Sequence, residues 1–215
     1  FQLSMDRKRV LEYLSLLSRR LMTSSSQNNV LGDISRALSG VTPRALDVTL
    51  PSPSTLRHCR SPVLYSAIAE SPSMHCSMFG FRRKDDVIPM HDHPTMHGFI
   101  RVLRGSVAVT SFSLLQSSTL AQPSVRFNGE RVVNDRDGCI YLSPEMDNIH
   151  QVRALEDGTF FFDLLIPGYK EVDCTYFEVP QPLPAVGSEI ELQRCPTPPS
   201  YSCVHLPYDT QRFAE

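Results

Sequence analysis

The sequence predicts a mainly β fold, a sandwich or barrel behind short N-terminal helices. Two observations carry this. From Leu46 onward, short apolar stretches are punctuated by Pro, Gly, Asn and Asp, the texture of many short strands joined by turns. The residues before that point instead place apolar side chains at helical spacing. The chain of 215 residues is long enough for one good core with a small appended lobe. Residues 1–44 are therefore expected to form a helical cap, and residues 45–215 one β domain.

Taken in order, residues 5–22 bring Val10, Leu11, Leu14, Leu17 and Leu21 onto one helix face, with Arg7, Lys8, Arg9, Arg19 and Arg20 between them. Ser4 is the expected N-cap. A second helix is expected over Val30–Leu38, stopped by Gly40 and Pro43. Strands are expected over 62–69, 74–82, 97–103, 105–113, 130–133, 138–142, 149–155, 159–165, 174–179, 188–193 and 201–205. Residues 114–129 read as a Ser/Gln/Pro-containing insertion. Six prolines between 180 and 200 make that stretch extended and irregular, a tail expected to wrap the barrel.

Composition excludes several functions. A formal net charge of −2 offers no electrostatic footprint for nucleic acid or an anionic membrane. The apolar runs are far shorter than a bilayer span. Six cysteines without CxxC spacing read as reduced thiols rather than a disulfide frame. With no signal-peptide pattern at the start, the expected location is the cytoplasm, with the nucleus as a further possibility.

The chemistry concentrates in Pro89-Met90-His91-Asp92-His93-Pro94-Thr95-Met96-His97-Gly98. On a strand, His91 and His93 point the same way and Asp92 points away. Two imidazoles on one strand face are half of a divalent metal site; the bland alternative is a polar turn before a strand. The other half is expected on a neighbouring strand, and the sequence offers Gly138 through Pro144 and then His150. These two stretches together resemble the paired motifs of cupins, with Gly105 closing the first and His150 falling one residue later than the common spacing. The resemblance implies a cupin barrel, a double-stranded β-helix or jelly roll. No carboxylate follows the His-x-His in Thr95–Gly98, so three neutral imidazoles and open coordination positions remain. Such a set suits a first-row metal without specifying which. His97 follows His93 by four residues and is expected to be a core or neighbouring histidine, not a ligand. His58, His75 and His205 lie near Cys59, Cys76 and Cys203, but their spacing matches no zinc pattern.

A closer resemblance is to the family of cysteamine dioxygenase and the plant cysteine oxidases. It rests on Ile88–Gly98, Asn148-Ile149-His150-Gln151, Phe162–Tyr169 and Cys174-Thr175-Tyr176, which occur in the family's order. Thr95 stands where the family has glycine, and Gly168 where it has a second proline. The resemblance implies a non-haem iron thiol dioxygenase with one Fe(II) per chain, held by His91, His93 and His150. It implies O2 as co-substrate, and cysteamine or a peptide with an N-terminal cysteine as the thiol. A barrel of this size is expected to be monomeric.

Three further residues carry a double reading. Asp163 lies in the apolar run Phe160–Ile166, where a charge is costly unless paired. It is either a structural acid bonded to backbone, or an active-site acid that holds a substrate amine or orients a ligand histidine; family position favours the second. Cys174 and Tyr176 share a strand face, as an ordinary core pair or as a tyrosine hydroxyl aimed at oxygen or substrate with the cysteine beside it. A thioether between them is conceivable. The rival classes are another metal-dependent cupin enzyme and a non-catalytic cupin scaffold.

Overall fold

The structure is a computed structural model and describes residues 6–115, 122–169 and 174–212. The first helix, α1 (Arg7–Thr23), is capped by Asp6, whose side chain accepts the Arg9 N–H at 3.0 Å. The cap is therefore Asp6 and not Ser4, which lies outside the described residues; a carboxylate there also favours the positive end of the helix dipole. The second helix, α2 (Gln27–Ser39), starts three residues before the apolar pattern does. A single turn, α3 (Pro53–Leu56), precedes the sheets.

The strands run β1 (Val63–Ser71), β2 (Met74–Phe81), β3 (Val87–His91), β4 (His97–Arg104) and β5 (Ser106–Leu114). Next come β6 (Ser124–Asn134), β7 (Ile140–Leu142), β8 (Ile149–Ala154) and β9 (Phe160–Ile166). The tail adds β10 (Tyr176–Phe177), β11 (Glu189–Glu191), β12 (Arg194–Cys195), β13 (Cys203–His205) and β14 (Gln211–Arg212). One sheet has the order β13-β1-β2-β9-β4-β7, with β14 beside β1; the other has β11-β6-β5-β8-β3-β10-β12. From β3 to β9 the chain passes repeatedly from one sheet to the other, and the core pairings are antiparallel. This is the double-stranded β-helix of a cupin. Ile88, Val109 and Val152 from one sheet meet Ile100, Val102 and Phe161 from the other inside the barrel.

Alternation along β9 explains the helical cap. Phe160, Phe162, Leu164 and Ile166 share a cluster with Leu11, Leu14, Leu17, Ile34 and Leu38 of the helices, on the outer face of the first sheet. Phe161, Asp163 and Leu165 face the barrel cavity. Both faces of β9 are thus buried, which is why its sequence reads as a nearly unbroken apolar run. Each leucine buried under the helices contributes about 2 kcal/mol before the entropy of ordering is set against it.

One expectation changes. Part of the insertion expected over 114–129 is strand: β6 begins at Ser124, and a register shift on β5 between Ser111 and Phe112 accommodates Asn128-Gly129. Residues 116–121 of that stretch lie outside the described residues. The proline-rich tail wraps the barrel and carries β11 on β6 and β13 on β1 within the expected strands 188–193 and 201–205, and it adds β12 on β10 and β14 on β1. Prolines between such short edge strands cost no ladder bond. Leu192 is buried with Met90, Phe112, Ile149 and Phe177 in a cluster of its own.

Candidate metal centre

Strand pairing brings the three histidines together. β3 runs antiparallel to β8 with His91 opposite His150, and the register shifts between Ile88 and His91. Ile88 and His91 are an odd number of residues apart, so only such an irregularity lets both line the cavity. His93 lies just past β3, in the turn to β4. The buried side chain of Asn148 holds it there: its Oδ1 accepts the His93 N–H at 3.0 Å, and its Nδ2 donates to the carbonyls of His93 and Ser143 at 3.0 and 3.1 Å.

The candidate ligand nitrogens of His91, His93 and His150 lie within 4.8 Å of one another, and all three residues are buried. Each ring has its Nδ1 occupied. His91 Nδ1 meets the Pro89 carbonyl at 2.7 Å, and His150 Nδ1 meets the Asn148 carbonyl at 2.9 Å. A carbonyl only accepts, so both rings carry their proton on Nδ1 and turn an Nε2 lone pair inward. His93 Nδ1 is 3.0 Å from the Tyr169 hydroxyl. His91 Nε2 and His93 Nε2 stand 3.1 Å apart. That is close to the roughly 3 Å expected of two nitrogens bound to one cation at about 2.1 Å. Burial pushes all three imidazoles toward the neutral form, His150 down to about 3, with His91 adding to the effect on His93 and His150. Neutral, inward-facing and with the outer nitrogens already bonded, the set fits a divalent transition metal.

The opposite wall comes from the other sheet. A cavity of about 110 Å³ separates the histidines from Tyr65, His75, Ser77 and Asp163, over an apolar floor that includes Phe79, Ile100 and Phe161. Asp163 lies opposite Ser77 on the adjacent strand. Among the described residues no hydrogen bond reaches its carboxylate, and burial pushes its pKa up to about 7. It is not tied to backbone in the manner of a structural acid. Nor does it orient a ligand histidine, since that contact falls to two carbonyls and Tyr169.

Cys174 and Tyr176 are neighbours as expected, with a side-chain hydrogen bond between them, and burial and Cys174 push Tyr176 up to about 12. Tyr176 pairs with His91 across β10 and β3, with ring centroids 6.3 Å apart. Neither residue lines the cavity wall; Tyr176 stands beside His91 on the same sheet, with Cys174 just before that strand. Asp92 faces away from the cavity and fastens this segment, accepting the Thr175 N–H on Oδ1 at 2.7 Å while its own N–H donates to the Thr175 carbonyl at 3.1 Å.

Two family departures acquire physical content. Thr95 has φ +64°, a left-handed conformation that a β-branched residue adopts only with strain. Thr95→Gly is expected to stabilise the protein by about 1 kcal/mol, raising its melting midpoint by roughly 2–4 °C in a thermal scan. Gly168 passes so close to the strand turn before β2 that a Cβ would run into the Ser71 and Met74 carbonyls. Its N–H also donates to the Pro72 carbonyl at 3.1 Å, a bond a proline could not make.

The turn through Thr95 also breaks the alternation between His93 and His97. His97 faces the helical cap, its Nδ1 2.7 Å from the Tyr141 hydroxyl and its ring stacked on that tyrosine. His97→Ala should therefore keep full metal occupancy by elemental analysis and lose about 1 kcal/mol of stability with the hydrogen bond. Among the described residues, His91, His93 and His150 form the one group of three or more side chains able to share a metal. Tyr169 and Asn148 were present in the family words, but nothing in their spacing announced what they touch.

Fold and site together define a cupin with a buried three-histidine centre. The chain belongs to the PCO_ADO family, whose model matches residues 30–213. It is similar to the 2-aminoethanethiol dioxygenase of Mus musculus, at 29% identity over 168 aligned positions, with 66% of this chain and 65% of that one covered. The Homo sapiens 2-aminoethanethiol dioxygenase is 29% identical over 147 aligned positions, with 57% of this chain and 54% of that one covered. The chain thus spans between half and two thirds of these relatives' length. A Klebsiella pneumoniae protein with a double-stranded β-helix domain superposes with a TM-score of 0.40 at 12% identity, covering 59% of this chain and 88% of that one.

Proposed function

We propose that the protein is an Fe(II)-dependent thiol dioxygenase that converts a 2-aminoethanethiol group to its sulfinic acid. The observation that carries this is the pairing, across one cavity, of three neutral imidazoles with a buried carboxylate that no hydrogen bond reaches among the described residues. Membership of the family and the names of its relatives support it. The balance is simple: R–SH and O2 give R–SO2H, with sulfur oxidised and both oxygen atoms retained. Bound iron would supply a Lewis-acidic, redox-active centre for thiol and O2. Three neutral donors leave that centre its positive charge, which favours a thiolate.

The chain's own residues do the rest. The Pro89 and Asn148 carbonyls and the Tyr169 hydroxyl fix the imidazole rings. The apolar floor of Phe79, Ile100 and Phe161 keeps water from the sulfur end. Asp163 receives the substrate's ammonium, and that charge favours its ionised form. Tyr176, hydrogen-bonded to Cys174, buttresses His91 from the same sheet. We take a peptide beginning with cysteine as the preferred substrate and cysteamine as the smaller one. The half-exposed Tyr169 and the half-buried Tyr65 and His75 border the cavity where the rest of a peptide would leave it. Cysteines standing as thiols rather than disulfides, Cys59, Cys76, Cys139, Cys195 and Cys203 among them, support a reducing compartment, cytosol or nucleus. The test is oxygen consumption with mass spectrometry on cysteamine, free cysteine and a cysteine-initiated peptide. Two oxygen atoms gained on the peptide's first residue support the reading; oxidation of cysteamine alone makes this a small-thiol enzyme, and oxidation of none refutes it.

A further inference from the structure

The cavity holds one polar pair that the proposed reaction does not use. The Tyr65 hydroxyl and His75 Nε2 are 3.0 Å apart, on adjacent strands β1 and β2, and both side chains line the cavity. His75 is further fixed by Tyr169, edge-on at a centroid distance of 5.3 Å. Tyr169 in turn contacts His93. The pair is therefore held in place from two sides and stands one residue from the metal centre.

We propose that His75 and Tyr65 form a subsite for the first amide group of a cysteine-initiated peptide. The inference rests on the thiol-dioxygenase reading and extends it to what lies beyond the amine. Strand geometry places the subsite. Asp163 lies opposite Ser77, and His75 is the next cavity-facing position along β2, about 7 Å further on. In a peptide, the first residue's amine nitrogen and carbonyl oxygen are about 3 Å apart. A hydrogen bond of about 3 Å at each end spans the remaining distance. With the thiol at the histidines and the ammonium on Asp163, the carbonyl reaches toward His75 and Tyr65. The direction agrees with the exposure of the walls. The histidine triad and Asp163 are buried, whereas Tyr169 is 41% exposed and Tyr65 and His75 are half-buried, so the chain exits past this pair.

The chemistry of the pair suits an amide rather than a carboxylate. Burial keeps His75 toward its neutral form and pushes Tyr65 up to about 12, so both are uncharged near neutrality. Each can donate or accept. Neither residue supplies the positive charge that would hold a free carboxylate. The subsite thus favours a peptide over free cysteine, and gives nothing to cysteamine, which ends at the amine-bearing carbon.

The test uses the iron-loaded full chain and the variants His75→Leu, His75→Gln and Tyr65→Phe, with metal content and melting midpoint recorded for each. The readout is the ratio of kcat/KM for a cysteine-initiated peptide to that for cysteamine. This ratio should fall about tenfold in His75→Leu and Tyr65→Phe, the loss of one hydrogen bond. It should stay within about threefold of wild type in His75→Gln, which keeps a donor and an acceptor. An unchanged ratio in His75→Leu and Tyr65→Phe overturns the subsite. Binding of a serine-initiated peptide and of ethanolamine, measured by calorimetry, separates the two claims. If no thiol is oxidised but the serine peptide outbinds ethanolamine and loses that margin in His75→Leu, the dioxygenase reading fails and the subsite stands. If thiols are oxidised and the margin is absent or unaltered, the subsite fails alone.

Discussion

Replacing any one of His91, His93 or His150 by Ala should strip the protein of most of its metal and of its activity. The three Nε2 atoms converge with no carboxylate among them, so each imidazole supplies a third of the protein's donors. Loss of a residue that merely orients a ligand costs 10–100-fold in affinity or activity. Loss of a ligand should exceed about 100-fold. The variants must be separated from misfolded protein, because each histidine is buried and its removal opens a polar void. Removing the metal from wild type by chelation provides the reference: each Ala variant should match that protein in circular dichroism, with a melting midpoint lowered by the void. A His150→Ala protein that retains one metal per chain would overturn the assignment of the centre. Metal in the His91→Ala and His93→Ala proteins would do the same for the strand and the turn that carry them.

Much of this site was legible because it follows strand periodicity. His91 on β3, His150 on β8 and the alternating run that holds Asp163 follow it, whereas His93 sits in the turn after β3, where Asn148 rather than strand alternation sets it. What was illegible depends on contacts between distant parts of the chain. Asn148 is 55 residues from His93, whose backbone it fastens. Tyr169 is 76 residues from the ring it meets. His75 looked like one of three scattered histidines beside cysteines, and only the β1–β2 pairing gives it Tyr65 as a partner. The start of β6 was hidden because Pro123, Asn128 and Gly129 have the composition of a loop, and a register shift lets the strand pass through them. His97 is no ligand, as expected, but its contact with Tyr141 depends on the left-handed Thr95, which alternation alone does not foretell.

Asp163→Asn should have the second-largest effect, and its sign depends on what is measured. The asparagine fills the same space, keeps an acceptor and removes the charge, so metal content should stay at one per chain. The bond from an ammonium to a carboxylate is worth more than a neutral one, so kcat/KM for amine-bearing thiols should fall by roughly 10–100-fold. In wild type, kcat/KM should also fall on the acid side as Asp163 takes up a proton, at a pH below the value of about 7 that burial alone sets, because bound metal favours the ionised carboxyl. That limb should be missing in Asp163→Asn. Stability moves the other way. Burial raises the carboxyl from 3.8 to about 7 in the folded chain. Between those values the folded protein keeps a proton that the unfolded chain has released, so stability falls as pH rises across the window and levels off above it. The metal-free variant lacks this fall. Its stability should match wild type at the acid end of the window and exceed it at the neutral end, by a few kcal/mol at most, read as a higher melting midpoint. Bound metal should narrow the difference, because a nearby cation favours the ionised carboxyl. Parallel pH profiles for the two metal-free proteins, or unchanged kcat/KM in the variant, would return Asp163 to the barrel lining as an inert polar residue.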